Sequence, residues 1–375
     1  MITLNEPSPR LSSVDSVRIK PFRLERWLLE AAEVDLGGGG VTKLKLRDVV
    51  PDFNLDQPMK YGRTDGSEEL KGLVAEWYGV EPENVLITSG TSEANLILNL
   101  TLLERGDRYV TENPQYEQTT RFAEALGCTV SEFQLSEENG WRPDLEELKK
   151  RVARGTRVVF LDNPNNPTGA ILSKTEMKAI IDVAEDTGAW LHCDNALRGS
   201  ELSGKPALTP YPGYERGVTT GSISKLGATS PRIGWIIGDP ALIRRCWEMK
   251  DYTTLGHSGI GEYMASALLM KRSQLIERNL EISRANLKTM DAWVKSHGDV
   301  FRWRRPEAGF TGFPGYDLKT GSEELCSGLL REKGLLLSPG SFFGADHHLR
   351  INTGSAPGVL ERGLERMGEY AKGLQ

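Results

Sequence analysis

Between residues 85 and 237 the chain alternates short β-rich runs with stretches of helical periodicity, and this alternation restricts the fold more than any other feature. Seven runs stand out, at 85–88, 108–111, 129–133, 158–162, 190–194, 218–222 and 233–237. Several of the intervening stretches are helical in pattern. Residues 92–103 carry Ala94, Leu96, Ile97, Leu98, Leu100, Leu102 and Leu103. Residues 174–187 follow Ser173-x-x-Glu176, a capping box in which each side chain takes up a backbone N–H that the first turn leaves unpaired. Strands joined through helices predict a mostly parallel, seven-stranded sheet covered on both faces. In such α/β sheets ligands sit beyond the carboxyl ends of the strands. Polar and special residues gather at those ends: Ser89 to Ser92, Asn113-Pro114, Asn163 to Gly169, Asp194-Asn195 and Ser222 to Lys225.

After residue 260 the pattern changes. Residues 262–294 contain no proline or glycine and predict one long helix or two stacked ones. Short strands are expected at 301–303, 309–313, 335–337 and 349–352. Residues 322–333 predict a helix stopped by Gly334, and a last amphipathic helix runs through Val359, Leu360, Leu364, Met367 and Tyr370. These elements predict a smaller α+β domain. The expected division is a large domain over 50–262 and a small one formed by 1–49 and 263–375. At about 150 residues per domain, 375 residues accommodate this. Gly37–Gly40 is expected to act as a hinge or to let backbone approach closely.

Composition excludes several classes. A chain with 38% hydrophobic and 26% charged residues has the material for a sizeable core. A net charge of −6, without a long Lys/Arg block, argues against nucleic acid as a partner. No apolar run approaches the ~20 residues that span a bilayer, and the first sixteen residues lack the pattern of a secretory signal. The four cysteines are far apart and the five histidines have no ligand spacing, so neither a disulfide framework nor a metal site is expected. A cytoplasmic location follows from that reading.

Four constellations carry chemistry. Ser89-Gly90-Thr91-Ser92-Glu93 follows a strand and opens a helix, where exposed N–H groups and the dipole suit a phosphate, although glycine turns are common there. Asp162-Asn163-Pro164-Asn165-Asn166-Pro167-Thr168-Gly169 makes a rigid turn, in which Asn166 is a candidate donor to a phenolate-like oxygen. Asp194 ends a buried strand, and a carboxylate there stays ionised only if it is paired, for example with a cationic nitrogen. Ser222-Ile223-Ser224-Lys225 places a lysine at another strand end, where partial desolvation frees its amine to attack an aldehyde. Arg232 lies seven residues on, suited to clamping a phosphate. Each feature alone has a structural explanation; the set, in this order and all at strand ends, does not.

The motifs TSGTSEA, Pro114-Gln115-Tyr116, NPNNPTG, Asp194, Ser222-x-Ser224-Lys225, Arg232 with Gly234, and Arg350-Ile351 resemble the class I/II aminotransferase family, of pyridoxal 5′-phosphate (PLP) fold type I, over nearly the whole chain. The resemblance implies an enzyme whose cofactor is PLP and whose substrate is an α-amino acid. It makes Lys225 the lysine that joins the cofactor covalently and later moves a proton, and Asp194 the partner of the ring nitrogen. Asn166 would hold the phenolic oxygen and Tyr116 would stack on the ring. Gly90, Thr91, Ser92, Ser222, Ser224 and Arg232 would surround the phosphate. Arg350 would clamp the substrate α-carboxylate, with Gly38 and Asn166 beside it. Tyr61 resembles a tyrosine that reaches the phosphate of a neighbouring subunit, which implies a homodimer with shared active sites.

Two departures bear on the reaction. The family usually has tyrosine three residues after the aspartate, and here Leu197 stands there, removing a hydrogen bond to the phenolic oxygen. The four glycines at Gly37–Gly40 also replace a more varied segment. Two reactions are therefore expected to compete: amino-group transfer to a 2-oxo acid, and elimination with ring closure. The second fits a resemblance of residues 198–202 and 246–254 to the capreomycidine synthase-like branch, which acts on an arginine derivative. A non-catalytic regulator is disfavoured, because no helix-turn-helix segment precedes residue 50 and the lysine is retained.

Overall fold

Eight strands form the central sheet of the computed structural model, which describes residues 19–51, 53, 56 and 62–374. In chain order they are β1 (Val85–Thr88), β2 (Arg108–Asn113), β3 (Thr129–Ser136), β4 (Arg142–Pro143), β5 (Thr156–Asp162), β6 (Trp190–Asp194), β7 (Gly217–Ser222) and β8 (Gly234–Ile237). Their spatial order is β1-β8-β7-β6-β5-β2-β3-β4. From β7 to β3 neighbouring strands are parallel. β8 runs antiparallel between β1 and β7, and β4 runs antiparallel on β3. Seven strands were expected and eight are found. The extra one, β4, is an Arg-Pro dipeptide too short to show periodicity, and its proline, lacking an N–H, suits only a sheet edge.

Alternation along the strands sets the two faces of the sheet. Val158 and Phe160 of β5 point to one side, where they meet Ala94, Ile97, Leu98 and Leu102 of helix Thr91–Leu102. Val159 and Leu161 point to the other, against Ile180 and Ala184 of helix Lys174–Thr187. Each such Leu or Ile contributes roughly 1.5–3 kcal/mol by leaving water. The expected capping box is present: Ser173 Oγ accepts from Glu176 N at 3.2 Å, and Glu176 Oε2 accepts from Ser173 N at 2.7 Å.

The stretch 262–294 lies in two helices, Gly259–Met270 and Arg272–Ser296, which serve different cores. Ala265, Leu268 and Leu269 pack with Val85, Ile87, Trp235 and Ile237 on the central sheet. Met290 and Val294 join a second cluster with Val34, Leu36, Leu335, Leu349, Ile351 and Leu364. In that second cluster Val34–Asp35 pairs in parallel with Leu335–Leu336, so the N-terminal segment is stitched to the C-terminal part. Strand Leu349–Asn352 lies between Thr311–Gly312 and Ser338–Pro339, antiparallel to both, and carries Arg350. Among the described residues no helix is long and apolar enough to cross a membrane.

Candidate active site

Strand register brings the carboxyl ends together. Asp162 pairs with Asp194, Asp194 with Thr220, Ser222 with Gly234, and Gly234 with Thr88. Over these ends lies a cavity lined by Thr91, Ser92, Tyr116, Asn166, Asp194, Ser222, Ser224, Lys225, Arg232 and Arg350. Ten of the expected site residues therefore meet in one place. Gly90 sits just behind the wall. Tyr61 lies outside the described residues. Gly38 does not line the cavity; its neighbour Gly39 does, lying against the Arg350 guanidinium, while Gly38 faces Asn352.

At one end the helix Thr91–Leu102 points its N-terminus at the cavity. Its N-cap is Gly90, with φ 83° and no capping side chain, so the first-turn N–H groups stay open to a ligand. Thr91 Oγ1 is buried and has no hydrogen-bond partner. A β-carbon on residue 90 would fall 2.3 Å from Arg232 Nη2, so only glycine lets the guanidinium reach this turn. Arg232 is itself left-handed, φ 53°, a conformation uncommon outside glycine, and its guanidinium reaches the Gly90 turn. Open amides, a free hydroxyl and a guanidinium make a cradle for a dianion.

At the other end stands Asp194. Asn95 Nδ2 donates to its Oδ2 at 3.0 Å and Ala196 N to its Oδ1 at 2.8 Å. Asn95 is fixed in turn by Thr220, whose hydroxyl donates to Asn95 Oδ1 at 3.0 Å and lies 3.3 Å from His192 Nε2. Burial holds the His192 pKa at about 3, so the ring is neutral and structural. Burial also pushes the Asp194 carboxyl up, and its hydrogen bonds and the Lys225 charge only partly oppose this. Behind it Glu112 is pushed up to about 8 by burial, and Asp162 is pushed up by burial and by its acidic neighbours. Three buried acids this close do not all ionise; Asp194, facing Lys225 and the cavity, is the one placed to meet a cation.

Between the two ends is Lys225, on the single turn Ser224–Leu226 after β7. Its ammonium donates to the Gly39 carbonyl. Burial, then the charges of Arg350 and Lys43, lower its pKa to about 8 against the pull of Asp194. At pH 7.5 roughly a quarter of such amines are neutral, against about one in a thousand for an ordinary lysine. Arg350 lies nearby, only 3% exposed. Its Nη2 donates to Gly37 O at 2.8 Å and its Nη1 to Asn166 Oδ1 at 3.3 Å, while its Nε has no partner. Burial lowers its pKa to about 10. Among the described residues no carboxylate pairs with this guanidinium, although the Glu25 charge partly opposes the lowering. Leu197 adds an apolar wall and no donor.

Several lining residues were not anticipated: Glu25, Gly39, Asn95, Gln118 and Asp162. Asn95 had a signal, because it lies one helical turn after Thr91 and shares its face. Glu25 had none; it reaches the site from a distant segment and accepts from Tyr116 Oη at 2.6 Å.

A dianion cradle, a reactive amine and a buried acid awaiting a cation match the phosphate, aldehyde and ring nitrogen of PLP, and the orphaned Thr91 hydroxyl and Asp194 carboxylate are the groups such a cofactor would satisfy. Fold and site together define a PLP-dependent enzyme. The chain belongs to the aminotransferase class I and II family, whose model matches residues 41–367. Capreomycidine synthase of Streptomyces vinaceus is 30% identical, over 93% of this chain and 94% of that protein. Aspartate aminotransferase of Pyrococcus horikoshii is 26% identical, over 88% and 92%. Among solved structures, a PLP-dependent aminotransferase from Streptococcus suis superposes with a TM-score of 0.89 at 28% identity, covering 96% of this chain and 99% of that one. The PLP-dependent cyclase OrfR gives 0.86 at 28%, covering 95% and 98%.

Proposed function

We propose that this enzyme transfers the amino group of an α-amino acid to a 2-oxo acid, using PLP held covalently by Lys225. The observation that carries the reading is a lysine amine with its pKa lowered to about 8, held between a buried carboxylate and a buried guanidinium that pairs with no carboxylate among the described residues. Bound PLP supplies an aldehyde and an electron-withdrawing ring. Around it, the Gly90–Ser92 turn, Ser222, Ser224 and Arg232 hold the phosphate, and Asp194 keeps the ring nitrogen protonated. Asn166 donates to the phenolic oxygen and Tyr116 covers the ring face. Arg350 grips the substrate α-carboxylate and so fixes which bond at Cα stands across the ring. Lys225, whose amine this site leaves partly neutral, would take and return the proton at the substrate Cα.

A second reading, elimination followed by ring closure, is supported by Leu197 at the site and by the similarity to a capreomycidine synthase and a PLP-dependent cyclase. One experiment separates them. Loaded enzyme is mixed with each amino acid and no acceptor, and products are identified by mass. Transfer releases one equivalent of 2-oxo acid per site and no ammonia; ring closure gives a cyclised product that keeps its α-amino group and no oxo acid, and elimination without closure is marked by ammonia released with the oxo acid. Turnover surviving in Lys225→Ala would sink both.

We further infer a cytoplasmic homodimer, with a large domain over 50–262 and a small one over 1–49 and 263–375. Support for the dimer comes from Tyr252, 88% exposed, and Leu255, 45% exposed. They follow the helix bearing Trp247, whose Nε1 donates to Thr64 Oγ1 at 2.8 Å.

A further inference from the structure

The proposed chemistry gives tasks to Asp194, Lys225, Arg232 and Arg350 and leaves two charged residues of the cavity: Asp162, which burial and its acidic neighbours push toward the neutral form, and Glu25. Glu25 comes from the short helix Arg23–Trp27 and stands exposed at the mouth. Tyr116 Oη fixes it with a 2.6 Å hydrogen bond. Among the described residues no lysine, arginine or histidine pairs with it, although its neighbour Arg23 pairs with Glu323. Arg350 and Lys225 feel the Glu25 charge, but Arg350 directs its bonds to Gly37 and Asn166 and Lys225 donates to Gly39.

An amino acid with its carboxylate on Arg350 and its amine at Lys225 must send its side chain away from the sheet, toward the cavity mouth. Its tip then meets a carboxylate that Tyr116 holds in place and that forms no ion pair among the described residues, although Lys225 and Arg350 feel its charge. We propose that Glu25, oriented by Tyr116, selects amino acids whose side chain ends in an ammonium or guanidinium group and rejects those ending in a carboxylate. This rests on the reading of the site as a PLP-dependent amino-acid site. Because Glu25 is exposed, the preference is moderate: a charge pair at such a position changes affinity about fivefold.

The test measures dissociation constants of L-lysine, L-ornithine, L-arginine, L-norleucine and L-glutamate for the loaded enzyme, by calorimetry and by the cofactor's visible absorbance. The cationic amino acids should bind about fivefold or more tightly than norleucine, and glutamate more weakly than norleucine. Glu25→Gln should remove the difference and leave norleucine unchanged, and Glu25→Lys should reverse the order. If amino acids bind but Glu25→Gln keeps the wild-type ranking, this assignment fails while the proposed function stands. If no amino acid of any class binds, both fall.

Discussion

Replacing Lys225 by methionine should stabilise the cofactor-free protein while abolishing cofactor capture. The fold keeps this amine at a pKa of about 8, against an ordinary 10.5, chiefly by burial. The unfolded chain therefore binds its proton more tightly than the folded one. Below pH 8 that difference costs the folded state about 3 kcal/mol. Between pH 8 and 10.5 the folded form has lost its proton and the unfolded form is losing it, so the cost shrinks, to about 1.4 kcal/mol at pH 9.5. Methionine has similar length and no charge. Its gain at pH 7 should be about 2–3 kcal/mol, after allowing ~0.5–1 kcal/mol for the lost bond to the Gly39 carbonyl. Urea unfolding of both stripped proteins at pH 7 and pH 9.5 measures this. The variant's advantage should fall by about 2 kcal/mol between the two. A variant no more stable at pH 7, or an advantage independent of pH, would refute the claim that this amine is held against its charge.

Three further outcomes follow from the geometry. Asp194→Asn keeps the shape and the acceptor for Ala196 but removes the charge, so PLP affinity of the stripped protein, measured by equilibrium dialysis, should fall on the order of tenfold to a hundredfold. Gly90→Ala places a methyl on the Arg232 guanidinium at a residue with φ 83°, and should weaken PLP binding about tenfold or more and lower stability by ~1–2 kcal/mol; wild-type affinity would show that Arg232 does not close this turn. Ser173→Ala breaks the capping box far from the cavity, and should cost about 1 kcal/mol in thermal unfolding with unchanged kinetics; altered kinetics would contradict a purely local role.

Much of the fold was legible because its signals are local. The strand runs were found within three residues at each end, since β-rich stretches bounded by turn residues need no tertiary information. The helices Lys174–Thr187 and Ser322–Lys333 match the expected bounds, each marked by its own cap, Ser173 with Glu176 in one and Gly334 in the other. The edge strand β4 escaped because two residues carry no period. Over 262–294 the sequence left one long helix or two stacked ones open, and the position of the break at Lys271 was not legible because no proline or glycine marks it; the two helices part to fill different cores.

The site divides the same way. Gly90, Asp194, Ser222 and Lys225 sit at strand ends, and the order of strands in the chain is enough to gather them, because a parallel sheet sends all its carboxyl ends to one edge. Gly39 and Glu25 answer to tertiary structure, and Asn95, although its helical phase with Thr91 is legible in the sequence, needs it as well. Asn95 contacts Asp194 only once β6 and the helix Thr91–Leu102 are layered. Gly39 reaches Lys225, and Glu25 reaches Tyr116, only because Val34–Asp35 pairs with Leu335–Leu336 and holds the N-terminal segment over the sheet. Backbone preference and hydrophobic period are written residue by residue, so the chain alone determined its strands, its helices and the lysine at a strand end. What touches that lysine depends on burial and on contacts across hundreds of residues, and those exist only in the packed molecule.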